Sequence, residues 1–138
     1  MCIRDSVLRL ARGQNISVLE AEKRVIGASH DMVGAWLMEK WQLPIIFSQV
    51  AMYHHQTYKA PDECLIAVSI VSFANHISKL KSFCFGGEID GTTLRETDAF
   101  KILERINPGV RGLDFLDFIE SLNGAREEIV NIERVINV

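Results

Sequence analysis

A chain of 138 residues, 48% hydrophobic and 24% charged, fits one domain that can bury a core without a disulfide or a metal. Its formal charge of −3, with basic residues scattered as in Lys79 and Lys81 or Arg105 and Arg111, argues against a nucleic-acid surface and gives a membrane surface no support. The three cysteines, Cys2, Cys64 and Cys84, show no metal-ligand spacing and follow no secretory signal, so they read as reduced thiols in a cytoplasmic protein.

Residues 1–6 are too polar and too short for a signal core. A helical pattern is already running at Val7, Leu8, Leu10 and Ala11. We expect an artificial or disordered start, and a chain truncated at its N-terminus. The first helix should stop at Gly13. Ser17 then caps a helix over Val18–Ile26, with Glu20 as its capping-box partner, and Gly27 closes it. Val18, Ala21 and Val25 share a face.

Ser29 is the next N-cap, for a helix from His30 to Trp41. His30, Gly34, Leu37 and Trp41 fall on one side of it. Pro44 restarts the chain into a helix over 45–55, on which Ile46, Val50 and Tyr53 face one way. Pro61-Asp62 opens the longest helix, running to about Lys81. Its apolar residues cover more than one face, which predicts a central buried helix. Its longest apolar run, Leu65 to Ala74, falls well short of the roughly 20 residues that span a bilayer, so no membrane helix is expected.

The glycine-rich stretch 86–92 is a connector and a candidate lobe boundary. A helix over Thr93–Ile106 follows, halted at Asn107-Pro108-Gly109. The tail carries Leu113, Leu116, Ile119, Leu122, Ile129, Ile132 and Ile136 at helical spacing, which we read as a face for intramolecular packing. No strand pattern, repeat or low-complexity tract occurs. The fold class is all-α: a helical core over 7–85, then a connector and C-terminal helices over 86–138.

Chemistry centres on the histidines. His30 opens one helix, His54 and His55 end the next, and His76 lies late on the long one. Imidazoles from several helices, joined by an acid, could hold a divalent metal. Equally, a histidine pair at a helix C-terminus gains from the helix dipole and from solvent, and we weight this second reading more heavily. Adjacent helical positions point about 100° apart, so His30-Asp31 does not read as a metal dyad. Gly86, Gly87 and Gly91 do not form a dinucleotide fingerprint, and phosphate-loop and nucleophile-elbow patterns are missing. Cys84 lacks an activating context. Met32, Met38 and Met52 read as core fillers, and Trp36 and Trp41 as packing anchors.

One series goes further. Glu22, Gly27, His30, Gly34 and Trp41-Gln42-Leu43-Pro44, followed by His54-His55 and by the run from Leu65 to Ala74-Asn75, resembles the HDOD family. The resemblance is firm over about 7–85 and loose beyond. It implies the C-terminal part of an all-helical, HD-like bacterial module related to the HD and HD-GYP phosphohydrolases. In the catalytic relatives, metal is held by an upstream His, a His-Asp pair, later histidines and an Asp. By resemblance, His30 matches the later single histidine, His54 and His55 the paired ones, and Asn75 stands where the acid would be. The upstream ligands are not in this sequence. The stretch Gln56 to Pro61 lacks the Gly-Tyr-Pro motif of the HD-GYP relatives.

The resemblance therefore implies no catalytic residue and no cofactor. Any metal would sit on His30, His54 and His55. The expected function is a non-catalytic regulatory or protein-interaction module of a bacterial signalling protein, cytoplasmic, partnered by another protein or an adjacent domain, with neither nucleic acid nor membrane. The alternative is a truncated Fe- or Mn-dependent phosphohydrolase or cyclic-dinucleotide phosphodiesterase.

Overall fold

A computed structural model describes residues 2–80, 91–114, 117, 118, 120–122, 124, 128 and 132. The described residues are helical or connecting, with no strand among them. Among the described residues the α-helices run α1 (Ile3–Gln14), α2 (Val18–Ile26), α3 (His30–Lys40), α4 (Ile45–Tyr53), α5 (Leu65–Leu80) and α6 (Asp98–Ile106). Short 3-10 turns lie at Thr57–Lys59, Asp62–Cys64, Gly91–Glu96 and Pro108–Gly112. By its contacts the chain divides into two units, Met1–Leu103 and Glu104–Val138.

The first unit begins earlier than its hydrophobic pattern suggests. Helix α1 starts at Ile3, where Asp5 in the first turn meets the positive end of the helix dipole. It runs through Gly13 and ends one turn-residue later, because Asn15 takes the left-handed conformation (φ 50°) and returns its N–H to Ala11. Ala11 and Ala21 are small enough to let α1 and α2 close on each other. With Val7 they form a core against which Leu10, Ile16 and Val18 pack.

The second helix follows its sequence signals. Ser17 Oγ accepts the N–H of Glu20 at 3.1 Å. The Glu20 carboxylate, however, pairs with Arg24 one turn on rather than closing a capping box. Gly27 ends α2 at φ 86°, a conformation that L side chains rarely adopt. Val25 is exposed, so the buried face is Ala21 with Val18 alone. Replacing Ser17 by Ala should cost about 1 kcal/mol of stability, read by urea denaturation. A loss restored by Asp at this position would identify the cap as the cause.

Helix α3 buries Asp31 and Ala35 rather than the predicted His30–Trp41 face. Trp36, Trp41 and Met32 are exposed, which corrects their reading as packing anchors and core filler. Met38 and Met52 are half-buried. Gly34 marks the approach of α3 to α4: a Cβ there would meet the Ala51 Cβ at 3.5 Å, an ordinary contact. Gln42 turns the chain at φ 55°, and Pro44 becomes the N-cap of α4.

Helix α5 was expected to be buried all round. It buries one face, Val68, Ser69, Ser72 and Ile77, and exposes Ile66, Ile70 and Val71. Counted with the turn before it, Asp62–Leu80 is long and apolar enough to cross a bilayer by length and composition. It packs on α4 and the neighbouring 3-10 turns within its unit.

The predicted helix over Thr93–Ile106 breaks in two. Thr97 accepts the N–H of Phe100 at 3.2 Å and donates to the Leu94 carbonyl at 2.8 Å, so α6 starts only at Asp98. Leu94, Ala99 and Phe100 are buried.

In the second unit, Asn107 caps the turn after α6 through the Gly109 N–H, and Arg111 pairs with Glu104 at 2.7 Å. Residues 117, 118, 120–122, 124, 128 and 132 are helical. Among the predicted apolar positions of the tail, Leu113 and Ile132 are exposed and Leu122 is half-buried. Leu116, Ile119, Ile129, Ile136, Cys84 and the connector glycines Gly86 and Gly87 lie outside the described residues.

Candidate functional site

Three imidazoles converge where the start of α3 meets the end of α4. His30 is the first residue of α3, while His54 and His55 follow α4, so the packing of α3 on α4 brings them together. Ring centroids lie 4.0 Å apart for His54–His55, 4.9 Å for His30–His55 and 5.5 Å for His30–His54. Nε2 of His30 stands 2.9 Å from Nε2 of His55.

Two of the rings are held by bonds that set their tautomers. His30 Nδ1 is 2.8 Å from Glu22 Oε2, and the same carboxylate oxygen accepts the His30 backbone N–H at 2.9 Å. Glu22 thus caps α3 from α2 and orients its first side chain. His54 Nδ1 lies 2.8 Å from the Ala51 carbonyl. A carbonyl only accepts, so the His54 proton sits on Nδ1; a carboxylate partner puts the His30 proton on Nδ1 as well. The Nε2 lone pairs of both rings are left for another partner.

Asp31, next to His30, is held by bonds of its own. Its carboxylate accepts from the Ser29 hydroxyl and from the Met32 N–H at 2.8 Å, and the residue is buried. Ser29 therefore holds an acid instead of capping the helix directly. Burial pushes the Asp31 pKa up, but the Ser29 and Met32 bonds and the nearby His30 and His55 pull it below the usual value. His55 is pushed down to about 3. Burial is the main cause, and His54, Lys79 and His30 add to it against the opposing charge of Asp31.

Helix α5 contributes Lys79 to these surroundings. Asn75, one turn earlier, is half-buried. His76, also on α5, binds the Ser72 carbonyl at 2.7 Å. The other motif residues shape the frame: Gly27 ends α2, Gly34 admits α4, Pro44 starts α4, and Trp41 is exposed. Beside His30 and Glu22, a cavity of about 420 Å³ opens between α1 and α2, walled by Val7, Leu8, Val18 and Ile26.

His30, His54 and His55 each offer a ring nitrogen within 4.8 Å of the others and could hold a single ion. The set does not fit the paired-metal arrangement of a phosphohydrolase, which needs carboxylates for hard cations. Among the described residues Glu22 is bonded to His30, Asp31 to Ser29 and the Met32 N–H, and Lys79 on α5 acts on His55 through its charge. Sequence reading singled out the three histidines and Glu22, but not the roles of Glu22, Asp31 and Lys79. The only available signal was Glu22 itself, an acid on the helix before His30.

The fold and site define an all-α, HD-like bundle. Residues 4–57 match the family model described as HDOD domain. The chain is similar to a crystal structure of an HDOD domain protein with unknown function from Geobacter sulfurreducens, at 26% sequence identity and a TM-score of 0.70. The match covers 90% of this chain and 43% of that one, so the chain spans less than half the length of that relative. No curated protein sequence matches.

Proposed function

We propose that this chain is a non-catalytic regulatory and protein-interaction part of a bacterial HDOD signalling protein, acting in the cytoplasm on a protein partner or an adjacent domain. The observation that carries this reading is what α5 brings to the imidazole cluster. Lys79 acts on His55, and the position one turn earlier is the amide Asn75. A phosphate-cleaving metal pair would require carboxylate there. The exposed apolar side chains Trp36, Trp41, Ile45 and Phe47 on α3, α4 and their connection add support, since such surface suits contact with another protein.

The convergence of His30, His54 and His55 favours one alternative, a truncated phosphohydrolase or cyclic-dinucleotide phosphodiesterase using Fe or Mn. The two are separated by assaying phosphomonoester and phosphodiester hydrolysis with added Mn²⁺ or Fe²⁺. The wild-type chain and the H54A/H55A double variant should be equally inactive. Turnover present in the wild type and lost in the double variant would replace the regulatory reading by the hydrolytic one.

A further inference from the structure

We propose that the corner joining α3 to α4, residues 41–47, is a contact surface for a second copy of this chain, the two copies meeting there about a two-fold axis. The inference deepens the regulatory reading and rests on it: it names the protein partner as another copy of the same chain.

The composition of the corner is that of an interface centre. Trp41, Gln42, Leu43, Pro44, Ile45, Ile46 and Phe47 are consecutive exposed residues without a charge among them. Trp41 is 65% exposed, Ile45 71% and Phe47 51%. An exposed apolar run of this kind is costly in water and persists on a folded domain where it has a function. At these exposures the run presents on the order of 600 Å², close to the ~800 Å² that each partner brings to a standard interface. Aromatic residues without neighbouring charge also mark the energetic centre of such contacts.

The backbone fixes the corner in advance. The Trp41, Gln42 and Leu43 N–H groups donate to the Leu37, Glu39 and Met38 carbonyls at 3.0, 2.9 and 3.0 Å. Little ordering is left for association to impose on this backbone. Gln42 takes φ 55°, a left-handed conformation that glycine adopts without strain. A glutamine held there, amid apolar neighbours, calls for a use of its side chain. Its amide carries both donor and acceptor, so two copies about a two-fold axis can exchange a reciprocal pair of N–H···O bonds. The same group then serves both sides, which is what selects a second copy as the occupant. The border agrees, because the exposed Glu39 and Lys40 cancel in charge and identical copies meet there without repulsion.

The test is sedimentation equilibrium of the full chain from micromolar to submillimolar concentration. We expect a reversible monomer–dimer equilibrium within that range. Ile45→Glu should weaken it on the order of 30-fold or more, the size of an interface hot spot. Gln42→Gly should weaken it about 10-fold, yet raise the urea midpoint of the dilute monomer by relieving the left-handed strain. These opposite signs separate a lost contact from a folding defect, and circular dichroism checks native helicity in both variants. Three results overturn the proposal: a monomer throughout, a dimer that Ile45→Glu leaves unchanged, or a dimer that Gln42→Gly leaves unchanged. The first would assign the corner to a different protein. All three leave the regulatory reading standing, since that reading fails on phosphoester turnover, whatever the oligomeric state.

Discussion

Phe100→Ala should destabilise the first unit by about 3–5 kcal/mol, the largest loss expected from any single truncation discussed here. Phe100 is only 2% exposed and sits among the buried Leu94 and Ala99. Its ring lies 5.8 Å from that of Phe73 on α5, and the Arg95 guanidinium lies 5.6 Å above it. Truncation removes a full aromatic side chain from water-excluded contact and leaves a hole that helices fixed elsewhere cannot close. Urea denaturation followed by circular dichroism measures the loss. Lys101→Ala, exposed on the same helix, provides the comparison and should stay within about 0.5 kcal/mol of wild type. A Phe100→Ala cost no larger than that of Lys101→Ala would mean that α6 does not pack on α5 through this ring.

Acidification provides the second large effect. In the presence of chelator, stability should fall as pH drops from about 6.5 toward 3. His55 titrates at about 3 in the folded chain and at 6.5 when unfolded, so between these values the unfolded chain binds the extra proton. Proton uptake by the unfolded state means that stability rises with pH across this window. His55 is only half-buried, and solvent screening reduces the effect to about 1–2 kcal/mol. Asp31 acts at lower pH. Its folded pKa lies below 3.8, so its contribution is present above that value and is lost as pH falls through the folded one. The variant H55Q separates the two, because it should flatten the profile between about pH 6.5 and 4 while the Ser29 and Met32 bonds keep most of the acid limb of Asp31. Equal slopes for wild type and H55Q would remove His55 as the cause.

Both effects follow from particular neighbours. An uncharged His55 permits close approach to His30 and His54, and Lys79 on α5 helps to keep it uncharged. Helix α5 thus reaches the cluster electrostatically, while its opposite side exposes Ile66, Ile70 and Val71.

The sequence by itself determined the helical class, the ends of α2, the start of α3, and the stops at Gly27 and Asn107-Pro108-Gly109. These signals are local: a serine oxygen reaches an N–H three residues on, glycine accepts a positive φ, and proline removes a donor. The spacing of Gly27, His30, Gly34, Pro44 and His54-His55 carried the family resemblance for the same reason, since each residue serves its own turn or helix end. The N-terminal start failed because Ile3–Ser6 has too few apolar residues to form a stripe, although it propagates helix once α1 packs on α2. The break at Thr97 was overlooked because threonine also occurs within helices. Which face of each helix is covered belonged to the tertiary structure alone. Periodicity defines a stripe on α3, but only the meeting of α3 with α4 turned Asp31 and Ala35 inward and Trp36 and Trp41 outward. The site depends on contacts between helices: Glu22 against His30, His30 against His55, and Lys79 acting on His55 join residues of different elements. No local rule relates them, because their distances are set by how the helices pack.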